Sequence, residues 1–421
     1  MRDRPLNALR SVAILNPLGD FGINAYSFEL AEGLSANGVQ VDVYTSDLSP
    51  LSVLPGSRHH QCFPVLGSTL LKQKKLDAGY QLHTSAAQQR APDAVSPDPT
   101  PVRRSGLRTL ARRKFLELEL AAHLKRKRYD LVWTQWPDIY GHNFWGLCRL
   151  LGVKTAHTVH NVLPHEESEA NMATLRRVYK QCDHLIVHSE YSRKELLSLF
   201  PEAARKTIVA PLGIYTIYPR TPEARERVRR DLKVGRDQLA CLICGGIRPY
   251  KNIDSSIAAL ADPRCAGAVL IIAGQEAGFP ERSASDPLAH TRSVARSLGV
   301  EPQLRLIPRF LGRLELSELF EAADVLLLPY VKGYGSGLLL LGMTFRKYIV
   351  TTDTGGACEY LKDYPLHTLL ATGEVSDIVD GITLAERALA SATGVADMSA
   401  FGELRWATIA RNTLQMIARG C

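Results

Sequence analysis

Short apolar runs alternate with amphipathic stretches along most of the chain. Residues Ser11 to Leu15 form the first such run, which ends in the turn-rich Asn16-Pro-Leu-Gly-Asp-Phe-Gly22. Apolar residues then recur at helical spacing from Tyr26 to Leu34, and Val39-Gln-Val-Asp-Val-Tyr44 alternates. Strand, glycine loop, helix and strand in that order predict a βαβ opening. The alternation resumes at Leu131, with strands expected over 131–134, 155–159, 184–188 and 207–210 and helices near 144–151, 170–181 and 192–200. One doubly wound sheet accounts for all of them.

The periodicity lapses twice. Ser85 to Arg104 is rich in proline and alanine and reads as a mobile surface loop. Thr216 to Asp237 carries Pro219, Pro222 and a charged helix expected over 223–232, which marks a crossing between domains. A second series follows, with strands expected over 239–244, 268–273, 304–307, 325–328 and 349–352 and helices over 253–261, 291–298, 314–322 and 337–345. The fold class is α/β: an N-terminal Rossmann-like domain over 1–215 with the loop 85–104, a linker over 216–238, and a C-terminal Rossmann-like domain over 239–400. A last helix over 401–421 is a candidate to cross back to the first domain. Ligands of open parallel sheets bind beyond the carboxyl ends of the strands, so the loops there carry the chemistry.

At 421 residues, 45% hydrophobic and 22% charged, the chain has an ordinary globular composition and is too long for one core. Basic residues exceed acidic ones by eight. Ten basic residues fall between Val102 and Arg128 against Glu117 and Glu119, so this segment's excess equals that of the whole chain. A general nucleic-acid binder is therefore not expected. No run of about 18 apolar residues predicts a spanning helix, and Met1-Arg-Asp-Arg-Pro lacks the features of a secretory leader. The expected location is cytoplasmic, with a peripheral position on the inner face of the cell membrane open. Eight scattered cysteines read as reduced thiols, and the Cys241-x-x-Cys244 pair sits in an apolar run that reads as a buried strand.

Four loops carry candidate chemistry. In Gly245-Gly-Ile-Arg-Pro-Tyr-Lys-Asn252 the glycines, Gly246 among them, let backbone approach a ligand, while Arg248 and Lys251 precede a helix. A forked donor, a point charge and free N–H groups together outline a diphosphate cradle. Tyr334, Ser336 and Gly337 lead into an apolar helix and offer a second anion site at its start. Strand 349–352 ends in Asp353-Thr-Gly-Gly-Ala-Cys-Glu359. In the first domain, Thr158-Val-His-Asn-Val-Leu-Pro-His-Glu-Glu167 places His160, His165 and Glu166 after a strand, and Asp20 lies between Gly19 and Gly22 in the first loop. Glu166, His160 and Asp20 are candidate bases. Pro164 breaks the helix that an HxxxH metal site would need, so no metal is expected.

Taken together, these motifs resemble the GT-B glycosyltransferases of group 1, over essentially the whole chain. The resemblance rests on the glycine-rich first loop, Thr158-Val-His-Asn161, Ser189-Glu-Tyr-Ser192, Pro211-Leu-Gly-Ile-Tyr215, Gly245 to Lys251, Ala322 to Tyr330, and Thr352-Asp-Thr-Gly-Gly356 with Glu359. It implies two domains facing across a cleft and no cofactor. A nucleotide-sugar donor, GDP- or UDP-linked, would lie on the second domain, with Arg248 and Lys251 on its diphosphate and Glu359 near the nucleotide or its loop. Gly19, Gly22 and His165 fall on the acceptor side.

Retaining members carry two glutamates eight positions apart, and Tyr334 and Gly342 stand in those places here. His-Asn-x-x-Pro-His-Glu, Arg-Pro-Tyr-Lys and Ser-Gly-x-Leu-Leu-Leu are similar instead to the inverting β-mannosyltransferase of xanthan assembly and its exopolysaccharide relatives. The expected activity is hexosyl transfer to a saccharide acceptor, lipid-linked, with inversion. A retaining transferase with altered donor contacts and an inactive nucleotide-sugar-binding partner are the alternatives. Segment 102–128, with leucines among its arginines, is expected either to dock on an anionic membrane or to pack into the first domain.

Overall fold

The computed structural model describes residues 9–16, 21–45, 60–62, 107–137, 144–163, 169–275, 288–333, 337–391 and 398–420. The loop 85–104 and the candidates Gly19, Asp20, His165, Glu166, Tyr334 and Ser336 lie outside them. The chain forms two compact units, one of 1–188, 193–211 and 405–421, the other of 189–192 and 212–404.

In the first unit seven strands run parallel in the order β3-β2-β1-β4-β5-β6-β7. They are β1 Ser11–Leu15, β2 Gln40–Thr45, β3 His60–Cys62, β4 Leu131–Thr134, β5 Thr155–Thr158, β6 His184–Val187 and β7 Thr207–Val209. Val12 to Leu15 are fully buried, as expected where helices cover both faces of a parallel sheet. Those helices are α1 Phe21–Ser35, α2 Leu107–Lys127, α3 Phe144–Leu150, α4 Glu169–Gln181, α5 Glu190–Leu199 and, from the far end of the sequence, Trp406–Arg419. The last packs on α1, where a Cβ on Gly33 would stand 2.5 Å from Trp406 O.

The second unit repeats the winding with six parallel strands in the order β10-β9-β8-β11-β12-β13. These are β8 Leu239–Cys244, β9 Ala268–Ala273, β10 Leu304–Ile307, β11 Val325–Leu328, β12 Tyr348–Thr352 and β13 His367–Leu370. Cys241 and Cys244 lie fully buried on β8. Residues 216–238, expected as a linker, carry α6 Ala224–Asp231 and belong to this unit. Asp324 holds that helix: it accepts from Arg225 at 2.6 Å, from Arg229 at 3.0 Å and from Ala240 N–H at 2.8 Å. The unit continues with α7 Ile253–Ala259, α8 Ala289–Ser297, α9 Arg313–Ala322, α10 Gly337–Thr344, α11 Ala357–Leu361 and α12 Val375–Ser391. The helix 406–419 is α13.

Each sheet is wound outward from its first strand in both directions. The direction of winding reverses between β1 and β4 in one unit and between β8 and β11 in the other, and the carboxyl ends at such a reversal leave an open crevice.

Candidate functional site

At the second reversal, β8 ends in a turn that only bare backbone permits. Gly245 takes φ +81°, and a Cβ on Gly274, at the end of β9, would overlap the Gly245 carbonyl oxygen. Arg248 follows in extended conformation, Pro249–Lys251 make a single 3₁₀ turn, and Asn252 turns left-handed to start α7. The Lys251 side chain folds back beneath the turn, donates from Nζ to Cys244 O, and lies 5.6 Å from the centre of the Tyr330 ring beyond β11. Lys251 is 2% exposed. Burial, opposed in part by Cys244, and the Arg248 charge draw its pKa down to about 8. Among the described residues no carboxylate bonds to it. Arg248 is half-buried and Gly246 exposed, so the turn sets two cations under an open backbone edge.

Beyond β11, α10 begins at Gly337, where a Cβ would stand 2.9 Å from Tyr215 Oη. Its apolar residues Leu339, Leu340, Leu341 and Met343 are buried. A Cβ on Gly342 would come within 2.6 Å of Leu326 Cδ2 on β11, so this position seats no carboxylate without moving the sheet contact. At the end of β12, Glu359 on α11 accepts from Glu190 N–H at 2.8 Å and from Tyr191 N–H at 2.9 Å. Both its oxygens are engaged in holding the 189–192 segment.

In the first unit His160 follows β5 and stands among aromatic and imidazole rings. Its Nε2 is 2.9 Å from the Gln135 amide, its Nδ1 is 3.4 Å from His188 Nε2, and the Tyr26 ring meets it edge-on at 4.9 Å. Burial, then the neighbouring His188 and His157, holds His160 well below the usual imidazole range. Burial brings His188 down to about 4, against a bond to the Ala210 carbonyl. Both ring nitrogens of His160 are therefore occupied by neighbours, and at neutral pH the ring carries no charge.

The chain matches Glycosyltransferase Family 4 over residues 22–217 and Glycosyl transferases group 1 over residues 224–389. The chain belongs to the group 1 glycosyltransferases. It is 25% identical over 385 residues to a D-inositol 3-phosphate glycosyltransferase of Actinosynnema mirum, covering 86% of this chain and 83% of that one. The sucrose-phosphate synthase of Thermosynechococcus elongatus shares the fold at TM-score 0.63 and 18% identity, over 97% of this chain and 94% of that one. Anabaena HepE in complex with UDP does so at TM-score 0.62 and 15% identity, over 97% of each. The two doubly wound sheets are thus those of the GT-B fold.

Within this glycosyltransferase the structure brings Arg248, Lys251, Gly246 and Gly337 to one sheet reversal, and leaves Glu359 as an anchor at the edge of it. Gly22 lies exposed in the first turn of α1. The glycosyltransferase also has a cavity of about 730 Å³ between α3 and α4, lined by Arg149, Arg176, Arg177 and Lys180. Its lining runs along α4 from Met172 to Gln181 and includes none of the candidate ligand-loop residues. His188 and Gln135 were not among the sequence candidates, and Tyr215 stood there only as the end of a motif. In the structure each of the first two stands immediately after a strand, β6 for His188 and β4 for Gln135.

Proposed function

We propose that the chain moves a hexosyl group, mannosyl first among them, from a UDP- or GDP-linked donor to a lipid-linked saccharide acceptor in glycan assembly, with inversion and without a catalytic metal. The observation that carries this is Lys251, a buried ammonium with no carboxylate partner among the described residues, set with Arg248 and exposed backbone at the carboxyl end of β8. A diphosphate supplies the missing negative charge there. The UDP held by the structurally similar HepE supports a nucleotide donor.

In the proposed step the acceptor oxygen bonds to the anomeric carbon as the bond to the diphosphate oxygen breaks. The diphosphate departs with the electron pair towards Arg248 and Lys251, and a base takes the acceptor proton. Glu166 and Asp20 are the candidate bases. His160, whose nitrogens are engaged, is better suited to holding a hydroxyl or its neighbours in place. Inversion accords with the absence of a carboxylate at Tyr334 and Gly342, the latter packed on β11. Exposed Phe115 and Leu118 on α2, with Lys125 to Arg128 at its end, support an anionic membrane surface as the place where the acceptor is met.

A thermal-shift screen with UDP-, GDP- and CMP-sugars is the direct test. One donor should raise Tm with the logarithm of its concentration, Lys251→Met should abolish that shift, and label from the same donor should enter membrane extract. A shift that survives Lys251→Met would remove the assignment of the diphosphate.

A further inference from the structure

Buried polar atoms without a partner gather at the reversal of the first sheet. Among the described residues, Asn16, Asn24, Gln135 and Trp136 each hold one such side-chain atom. Asn16 follows β1 and Gln135 follows β4, and the two are neighbours because Gln135 N–H donates to Leu15 O at 3.1 Å. Asn16 Nδ2 donates to Asn24 Oδ1 at 2.6 Å. Asn16, Asn24 and Gln135 are 0%, 4% and 1% exposed. Native folds rarely leave such groups unmatched, because desolvation without a hydrogen bond is unfavourable, and a cluster of them points to a missing partner.

The chemistry of that partner follows from counting protons. Whichever way the asparagine amides are turned, their mutual bond leaves one NH₂ group and one carbonyl oxygen free. For Gln135 the histidines decide. His188 Nδ1 faces the Ala210 carbonyl at 3.1 Å and so carries a proton. Its Nε2 is then a lone pair that accepts from His160 Nδ1, which leaves His160 Nε2 as a lone pair facing the Gln135 amide. Only the amide NH₂ fits there. The Gln135 carbonyl oxygen is the free end. With the Trp136 indole N–H, the set offers two donors and two acceptors and no charge. A hydroxyl both donates and accepts and suits this set, whereas a phosphate accepts only and would leave the two carbonyl oxygens facing its own.

We infer that Asn16, Asn24 and Gln135 bind hydroxyl groups of the acceptor, and that the acceptor portion seated there is an uncharged sugar ring carrying no phosphate. The inference rests on the transferase reading above. Its test uses the full chain, the radiolabelled donor identified by thermal shift, and p-nitrophenyl hexosides beside their 6-phosphates as acceptors. The wild type should prefer the neutral hexosides. Gln135→Met and Asn24→Leu should each raise the acceptor KM by about tenfold or more with donor affinity unchanged. Tm should fall only modestly, since each variant removes one unmatched buried polar atom but also unpairs a neighbour, His160 Nε2 or the Asn16 amide. Two variants guard against one that fails to fold. An unchanged acceptor KM in the folded variants, or a wild-type preference for the phosphorylated acceptors, overturns the inference while leaving the transferase intact. Absence of transfer by the wild type from every donor to either acceptor set removes the transferase reading, and this inference with it.

Discussion

The Lys251 ammonium is enclosed by its own turn, and a drop in pKa from 10.5 to about 8 measures what enclosure does to it. At roughly 1.4 kcal/mol per unit, the charged form is disfavoured by about 3 kcal/mol in the free protein, a deficit that a bound anion offsets. Two opposite pH slopes follow. Above pH about 8 the unfolded chain holds the proton that the folded one has released, so this group makes the free protein more stable as pH rises towards 10.5. Donor binding favours the protonated form and weakens by up to about tenfold per unit over the same range. Calorimetric titration of donor between pH 7 and 9.5 should give that fall, and Lys251→Arg should flatten it. Arg248 and Lys251 were legible in the sequence because glycines and cations were crowded before a helix. Asn16 and Gln135 were not, since an amide after a strand looks like any turn residue until its unmatched atoms are counted.

Among elements, α13 packs tightly against α1. Trp406 O stands where a Cβ on Gly33 would be, and the Tyr26 and Trp406 rings meet edge-on at 5.3 Å beside it. Gly33→Val therefore forces the helices apart, at a cost of about 1–3 kcal/mol. Limited proteolysis should cut the variant near 398–405 faster than the wild type, and an unchanged rate would show that the contact contributes little. Strands β8, β9 and β11 of the second sheet stood out as uniform apolar runs because both their faces are covered. Strand β13 did not: His367 and Thr368 are only half-buried and Leu369 is exposed, so the edge of the sheet carries no such run. Segment 216–238 read as a linker on its prolines and charges. The charges of Arg225 and Arg229 are instead committed to Asp324, a pairing between positions about a hundred residues apart that local pattern does not reveal.

For the whole molecule, the formal charge of +8 is a local quantity. Helix α2 resolves into a buried face of Leu120, Ala121 and Leu124 and an exposed pair, Phe115 and Leu118. If that pair and the basic end of the helix meet a membrane, Phe115→Ser/Leu118→Ser should reduce co-sedimentation with phosphatidylglycerol vesicles several-fold and leave Tm unchanged. Equal binding to neutral and anionic vesicles would exclude the surface. The two doubly wound sheets were legible from the order of runs alone. One consequence of their layout concerns synthesis. Residues 405–420 complete a unit that opens with β1, while the other unit is nearly contiguous, so on the ribosome the second unit has all its parts first. The first sheet waits for α13 with one flank of α1 uncovered, and nascent chains halted before residue 405 should bind chaperones through Tyr26 and its neighbours.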